Sequence, residues 1–134
     1  MTKNIPFLIS GILIGIILFQ SVCIAPAINQ LIDAKQASVF LRHIWPSFYL
    51  IIGILSFLSF ALILRWHRPQ VKPKYFALFS AVLMTICFLM IPTINNARDM
   101  DNQTLWTVLH LCTVLFTFIT LVLHSLSIFY WKFK

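Results

Sequence analysis

Residues 44–64 read IWPSFYLIIGILSFLSFALIL, a stretch without one charged side chain that is closed by Arg65. A bilayer's hydrocarbon core of about 30 Å is crossed by roughly 20 helical residues at about 1.5 Å each. Inside it, only a helix satisfies its backbone hydrogen bonds within a single segment. The stretch therefore predicts a transmembrane helix. Three further apolar runs, at residues 5–25, 75–94 and 105–131, repeat the pattern. The expected fold is all-α: an integral membrane four-helix bundle occupying residues 1–134 as a single transmembrane domain.

Composition supports this reading. Of 134 residues, 60% are hydrophobic and 10% charged, with a mean hydropathy of +0.94; soluble folds carry about a quarter charged residues. A transmembrane β-barrel would show ten-residue segments of alternating hydrophobicity, which this sequence, with 13 Phe and 3 Gly, does not. The net charge of +7 does not imply nucleic acid, because the ten Lys and Arg lie at the ends of the apolar runs and form no basic face. Cys23, Cys87 and Cys112 all fall within apolar stretches and are expected to be reduced thiols packed in helices.

The basic residues give the orientation. Lys3, Arg65, Arg68, Lys72, Lys74, Lys132 and Lys134 flank the spans on one side; Lys35, Arg42 and Arg98 flank them on the other, together with Asp33, Asp99 and Asp101. By the positive-inside rule both termini and the 65–74 loop are expected in the cytoplasm, and the protein in the inner (plasma) membrane. Trp45, Trp66, Trp106 and Trp131 are placed as interfacial anchors. Lys3 before an apolar core and Ala25-Pro26-Ala27 resemble a signal peptide and its cleavage site. The apolar run, however, exceeds the usual signal core of about 7 to 15 residues. Gly11 and Gly15 form a small-xxx-small pattern that permits close helix approach. A weak internal echo aligns Pro26-Ala27-Ile28-Asn29 and Asp33 with Pro92-Thr93-Ile94-Asn95 and Asp99. It is read either as two repeated helical hairpins or as two helices that end alike.

Polar residues within such spans are costly and therefore informative. On the fourth run, Gln103, Trp106, His110, Thr113, Thr117, Thr120, His124, Ser127 and Trp131 recur at steps of three and four and share one helical face. That stripe is expected to turn inward, either bonding helices together or lining a polar cleft. A candidate polar site gathers Gln20, Asn29, His43, Asn95, Arg98, Asp99 and His110 at one depth. Pro26 and Pro92 are expected to free the carbonyls of Val22 and Phe88 nearby. His110 and His124, about 21 Å apart along a helix, have the separation of two stacked haems. A second helix with matching histidines is absent, because His43 and His67 are placed differently. Metal binding by the thiols is disfavoured, since His110 and Cys112 point to different faces. No nucleophile–base pair, phosphate loop or carboxylate dyad is visible, so no catalytic residues and no enzyme are expected.

Gly15-Ile16-Ile17-Leu18-Phe19-Gln20 leading to Ala25-Pro26, Trp45-Pro46-Ser47-Phe48-Tyr49 at the second helix, and Pro92 with Trp106 and His110 together resemble a family of small four-helix membrane proteins. That family includes bacterial chains and eukaryotic transmembrane protein 205. The resemblance spans nearly the whole chain and implies a four-helix bundle in which Gln20, Pro26 and His110 are family-typical positions. It implies no reaction, cofactor or substrate. Thr113 fits the hydroxyl the family carries after the histidine, whereas Thr117 stands where the family has Asn. The favoured functional reading is a non-enzymatic accessory or interaction subunit, or a small-ligand-binding bundle, with lipid and a homo-oligomer or membrane-protein partner around it. Transport of a small molecule or metal by an oligomer, with Gly11 and Gly15 at the contact, is the second reading, and a b-type haem protein the third.

Overall fold

The computed structural model describes residues 4–66 and 70–132; Lys3, His67, Arg68 and Lys134, used above for orientation and spacing, lie outside the described residues. Four helices, α1 (Ile5–Leu31), α2 (Ala34–Trp66), α3 (Val71–Asp99) and α4 (Gln103–Phe129), are each long and apolar enough to cross a membrane. No strand occurs among the described residues. The chain is thus an all-α, multi-pass membrane protein whose helices touch lipid.

The helices outrun the apolar spans. α2 begins ten positions before residue 44 because Asp33 caps it: Oδ1 accepts the backbone N–H of Lys35 at 3.0 Å and of Gln36 at 3.1 Å. Asn102 caps α4 in the same manner, accepting from Leu105 N–H at 3.1 Å. Between α3 and α4, Asp101 adopts φ 52°, a left-handed conformation that Asp tolerates because its short side chain can bond locally.

Winding in α1 is not uniform. It is α-helical over Ile5–Phe19 and Ala25–Leu31 and π-helical over Gln20–Ile24, where Ala25 N–H reaches back to the carbonyl of Gln20. Pro26 explains the position. It has no N–H for Val22, and its ring would crowd that carbonyl in a regular turn; a turn widened by one residue relieves the clash. Pro92 instead lies within continuous α-helix. The two prolines of the internal echo therefore sit in differently wound segments. The echoed acids differ too, since Asp33 caps α2 while Asp99 pairs with Arg42.

Each helix packs against its neighbours in the cyclic order α1–α2–α3–α4, with α3 closest to both α2 and α4. The shared core is built from Ile9, Leu13 and Ile17 of α1, Phe48, Tyr49 and Ile52 of α2, and Leu83, Met84, Cys87 and Ile91 of α3. One end of the bundle carries the α1–α2 and α3–α4 connections and is called the two-loop end. At the opposite, terminal end, Gln70 Nε2 donates to the Lys132 carbonyl at 2.6 Å and Lys72 Nζ lies 4.0 Å above the Tyr130 ring. Trp131 there is buried beside Phe7.

Two expectations need adjustment. Cys87 is buried and Cys112 half-buried, but Cys23 is exposed on the π turn, so only two of the thiols pack inside. Gly11 and Gly15 serve no crossing within the chain: a Cβ at either would meet nothing within 4 Å. At Gly53 an added Cβ would lie 3.5 Å from Met84 Cβ, in ordinary packing contact across the α2–α3 interface. Gly53→Leu should overpack that interface and destabilise the bundle by about 1–3 kcal/mol, read as a lower Tm in detergent. Gly11→Leu should leave Tm unchanged.

Candidate functional site

The polar stripe of α4 does turn inward. Thr113, Thr120, His124 and Ser127 are buried, His110 and Thr117 are half-buried, and Gln103 reaches solvent at the helix start. Part of the stripe is satisfied on its own helix, as Thr113 Oγ1 donates to the His110 carbonyl and Thr117 Oγ1 to the Thr113 carbonyl, both at 2.8 Å. Tyr49 of α2 and Thr113 line the same cavity.

Deeper toward the terminal end, His124 is fully buried and joins three helices. Its Nε2 lies 3.0 Å from Ser56 Oγ of α2, and its Nδ1 lies 3.2 Å from Ser10 Oγ of α1. A neutral imidazole has one donor and one acceptor nitrogen, and a serine hydroxyl can answer either. The bridge is therefore satisfied in both tautomers. Ser59, Ser80 and Thr120 are also buried, and their hydroxyls have no partner among the described residues. This half of the stripe bonds the bundle together.

Its other half borders a cavity. At the two-loop end, a space of about 250 Å³ opens among all four helices, with Asn29 of α1, Arg42 of α2, Asn95 and Arg98 of α3, and Trp106 and His110 of α4 on its walls. Trp45 and Tyr49 form its floor on the α2 side, stacked with centroids 5.6 Å apart and planes 16° from parallel. Arg98 lies 4.8 Å above Trp106, which in turn stacks on His110 at 5.2 Å and 4°. A cation over an aromatic face is held by the ring quadrupole, so this column of guanidinium, indole and imidazole is orientationally fixed. Arg98 Nη1 also donates to Gln103 Oε1 at 3.1 Å.

Arg42 is committed elsewhere. Its two terminal nitrogens grip both carboxylate oxygens of Asp99, with Nη1 3.1 Å from Oδ2. Such a two-pronged geometry fixes α2 relative to α3, although the exposure of Asp99 limits its energetic weight. Arg98 has no carboxylate partner among the described residues and leaves the cavity with an uncompensated positive group.

Of the residues gathered from the sequence, Asn29, Asn95, Arg98 and His110 meet at this cavity, and Asp99 stands beside it through Arg42. His43 is exposed and is not among the walls of this cavity, unlike Arg42 and Trp45 of the same helix. Pro26 is half-buried above the π turn, and Gln20 lies one step deeper, beside a separate cavity. Arg42, Trp45, Tyr49, Trp106 and Thr113 also line the cavity without having been assigned to the polar site. The tryptophans placed as lipid anchors at this end, Trp45 and Trp106, turn inward. Arg42, Trp45 and Tyr49 follow at steps of three and four on α2, a periodicity that carries the signal once the helix is known to start before residue 44.

Among the described residues, no group of three His, Cys, Asp or Glu side chains is placed to hold a metal ion. Comparison with protein-family models, curated proteins and solved structures finds no match to this chain. The arrangement can bind and orient a solute through charge, amide hydrogen bonds and aromatic faces.

The His124 bridge yields a prediction for the double-mutant cycle of Ser56→Ala and His124→Leu. Unfolding free energies in detergent should show a coupling of about 0.6–1.7 kcal/mol, the range of interhelical hydrogen bonds in membranes. Strict additivity would mean that the two side chains do not act together.

Proposed function

We propose that this protein is a non-enzymatic solute-binding bundle of the inner membrane, with both termini in the cytoplasm and the cavity at the two-loop end open to the outside. The observation that carries the reading is the composition of that cavity. Arg98 supplies a positive charge that forms no ion pair among the described residues, Asn29 and Asn95 supply amides, and Trp45, Tyr49 and Trp106 supply flat apolar faces. A small carboxylate with an apolar or aromatic body suits these walls. Its charge would meet the guanidinium through charge-assisted hydrogen bonds, the stronger kind, and its body would displace water from the rings.

The orientation rests on the positive-inside rule. In the sequence, Lys3, Arg65, Arg68, Lys72, Lys74, Lys132 and Lys134 flank the spans on the side of the termini, against Lys35, Arg42 and Arg98 on the two-loop side. The resemblance to the transmembrane protein 205 family is compatible with a bundle of this kind, because the residues that carry it include Trp45, Trp106 and His110, three walls of the cavity. Absence of a nucleophile paired with a base, in the sequence as read above, favours binding over catalysis.

Benzoate, titrated into the detergent-solubilised protein, should change the emission of Trp45 and Trp106 saturably. Arg98→Gln should weaken that affinity by about tenfold, equal to about 1.4 kcal/mol, and neutral benzyl alcohol should bind no better to the native protein than benzoate does to the variant. Equal benzoate affinity for the native protein and the variant would remove the assignment of charge recognition to Arg98. In intact cells, a cysteine introduced at Asn95 should react with a membrane-impermeant maleimide, whereas one introduced at Lys72 should react only after permeabilisation. The opposite pattern would invert the orientation.

A further inference from the structure

A second cavity of about 250 Å³ lies between α1, α2 and α4, one step deeper than the first and separated from it by Trp45, Tyr49 and His110, which face both. Its surroundings are of a different chemical kind. No Lys, Arg, Asp or Glu lines it, and its walls are Phe48, Leu121 and neighbouring apolar groups, with Gln20, Ser21, Thr117 and His110 among the polar residues. Leu18 on α1 and Val114 and Phe118 on α4 border it and are themselves exposed on the bundle's outer surface. In a membrane helix pair that exposure faces acyl chains, so the cavity opens sideways into lipid.

Gln20 is the observation that points to a ligand. It is only 8% exposed, yet its Nε2 has no hydrogen-bond partner among the described residues. An unpartnered amide in hydrocarbon is costly, and helix α1 places it there at the first residue of its π turn, a feature common at functional sites. Gln20 is among the residues that line this cavity. The imidazole of His110 likewise forms no side-chain hydrogen bond among the described residues; it is held only by stacking on Trp106. Two nitrogen groups thus border an uncharged space whose wall includes the stacked pair Trp45 and Tyr49.

We propose that this cavity binds an uncharged, planar, carbonyl-bearing compound that reaches it through the lipid, with a quinone head group as the chemical class. One ring carbonyl would accept from Gln20 and another from His110, the ring would lie against Trp45 and Tyr49, and the apolar tail would leave between Leu18 and Phe118. The inference does not rest on the carboxylate reading: the two cavities share Trp45, Tyr49 and His110, but the charged walls of the first take no part in the second. Ester carbonyls of a phospholipid offer the same acceptor chemistry on an apolar body but lack the flat ring that the aromatic wall accommodates.

Decyl-benzoquinone, titrated into the purified full chain in detergent, tests the proposal through saturable quenching of tryptophan emission. Gln20→Leu, close in size, should weaken the affinity by about tenfold, the worth of one buried hydrogen bond, while its unliganded Tm stays at or above the native value because the stranded amide is gone. Val114→Trp, at an exposed position on the opening, should weaken it as well without a loss of Tm. Benzoate affinity should be unchanged in Gln20→Leu, and decyl-benzoquinone affinity unchanged in Arg98→Gln, which separates failure of one site from failure of the other. Undiminished quinone binding in both Gln20→Leu and Val114→Trp would overturn the proposal. So would displacement of the quinone by equimolar phosphatidylcholine, which would identify a lipid ester as the occupant.

Discussion

The hydrocarbon of a bilayer offers no hydrogen-bond partners, and a polar group that enters it is costly unless it finds one inside the protein. That constraint selects four helices for the backbone, and it then sorts the side chains. The polar face of α4 cannot meet acyl chains, so it fixes the rotation of that helix, and the helices that answer it are fixed in turn. Ser10 and Ser56 meet the two nitrogens of His124. Aliphatic packing of Ile52 and Met84 around these groups adds dispersion, but it does not distinguish one rotation of a greasy helix from another.

The same stripe serves two purposes along its length. Toward the terminal end its members are enclosed among serines, whereas toward the two-loop end the helices part and His110 and Trp106 become walls of an open space. The parting coincides with the π turn of α1 and with the charged ends of α2 and α3. Charge also changes with depth. Arg42, Arg98 and Asp99 stand at the mouth of the first cavity, and the next cavity along the same aromatic partition has no charged side chain on its walls. The pair Trp45 and Tyr49 therefore divides a chamber with charged walls from one without them.

Helix number and position were legible in residues 44–64 and the three similar runs, because hydropathy over such lengths has one structural solution in a bilayer. The inward face of α4 was legible for the same reason, through its period. Helix ends were less so. Asp33 and Asn102 extend helices by capping, a local hydrogen bond that hydropathy does not register, and the start of α2 before the apolar run carried Arg42 onto the same face as Trp45 and Tyr49. Depth alone grouped His43 with His110 and Gln20 with Asn29. Rotation about the helix axis separates the first pair, and the second is divided because Gln20 sits at the start of the π turn and Asn29 beyond it. The π turn itself was foreshadowed by Pro26, but Pro92 shows that an internal proline does not dictate such a turn, so the neighbours of α1 contribute to the outcome.

The 33 residues of α2 make a rod about 50 Å long, some 20 Å more than the hydrocarbon it crosses. Its surplus at the two-loop end, with that of α3, carries the Arg42–Asp99 clasp beyond the apolar run that begins at residue 44. A bilayer that thickens or thins by a few ångströms would slide along this collar at small energetic cost, changing which methylenes touch lipid while the clasp keeps the two rods in register. The chamber beneath it would thus hold its shape in membranes of differing acyl length.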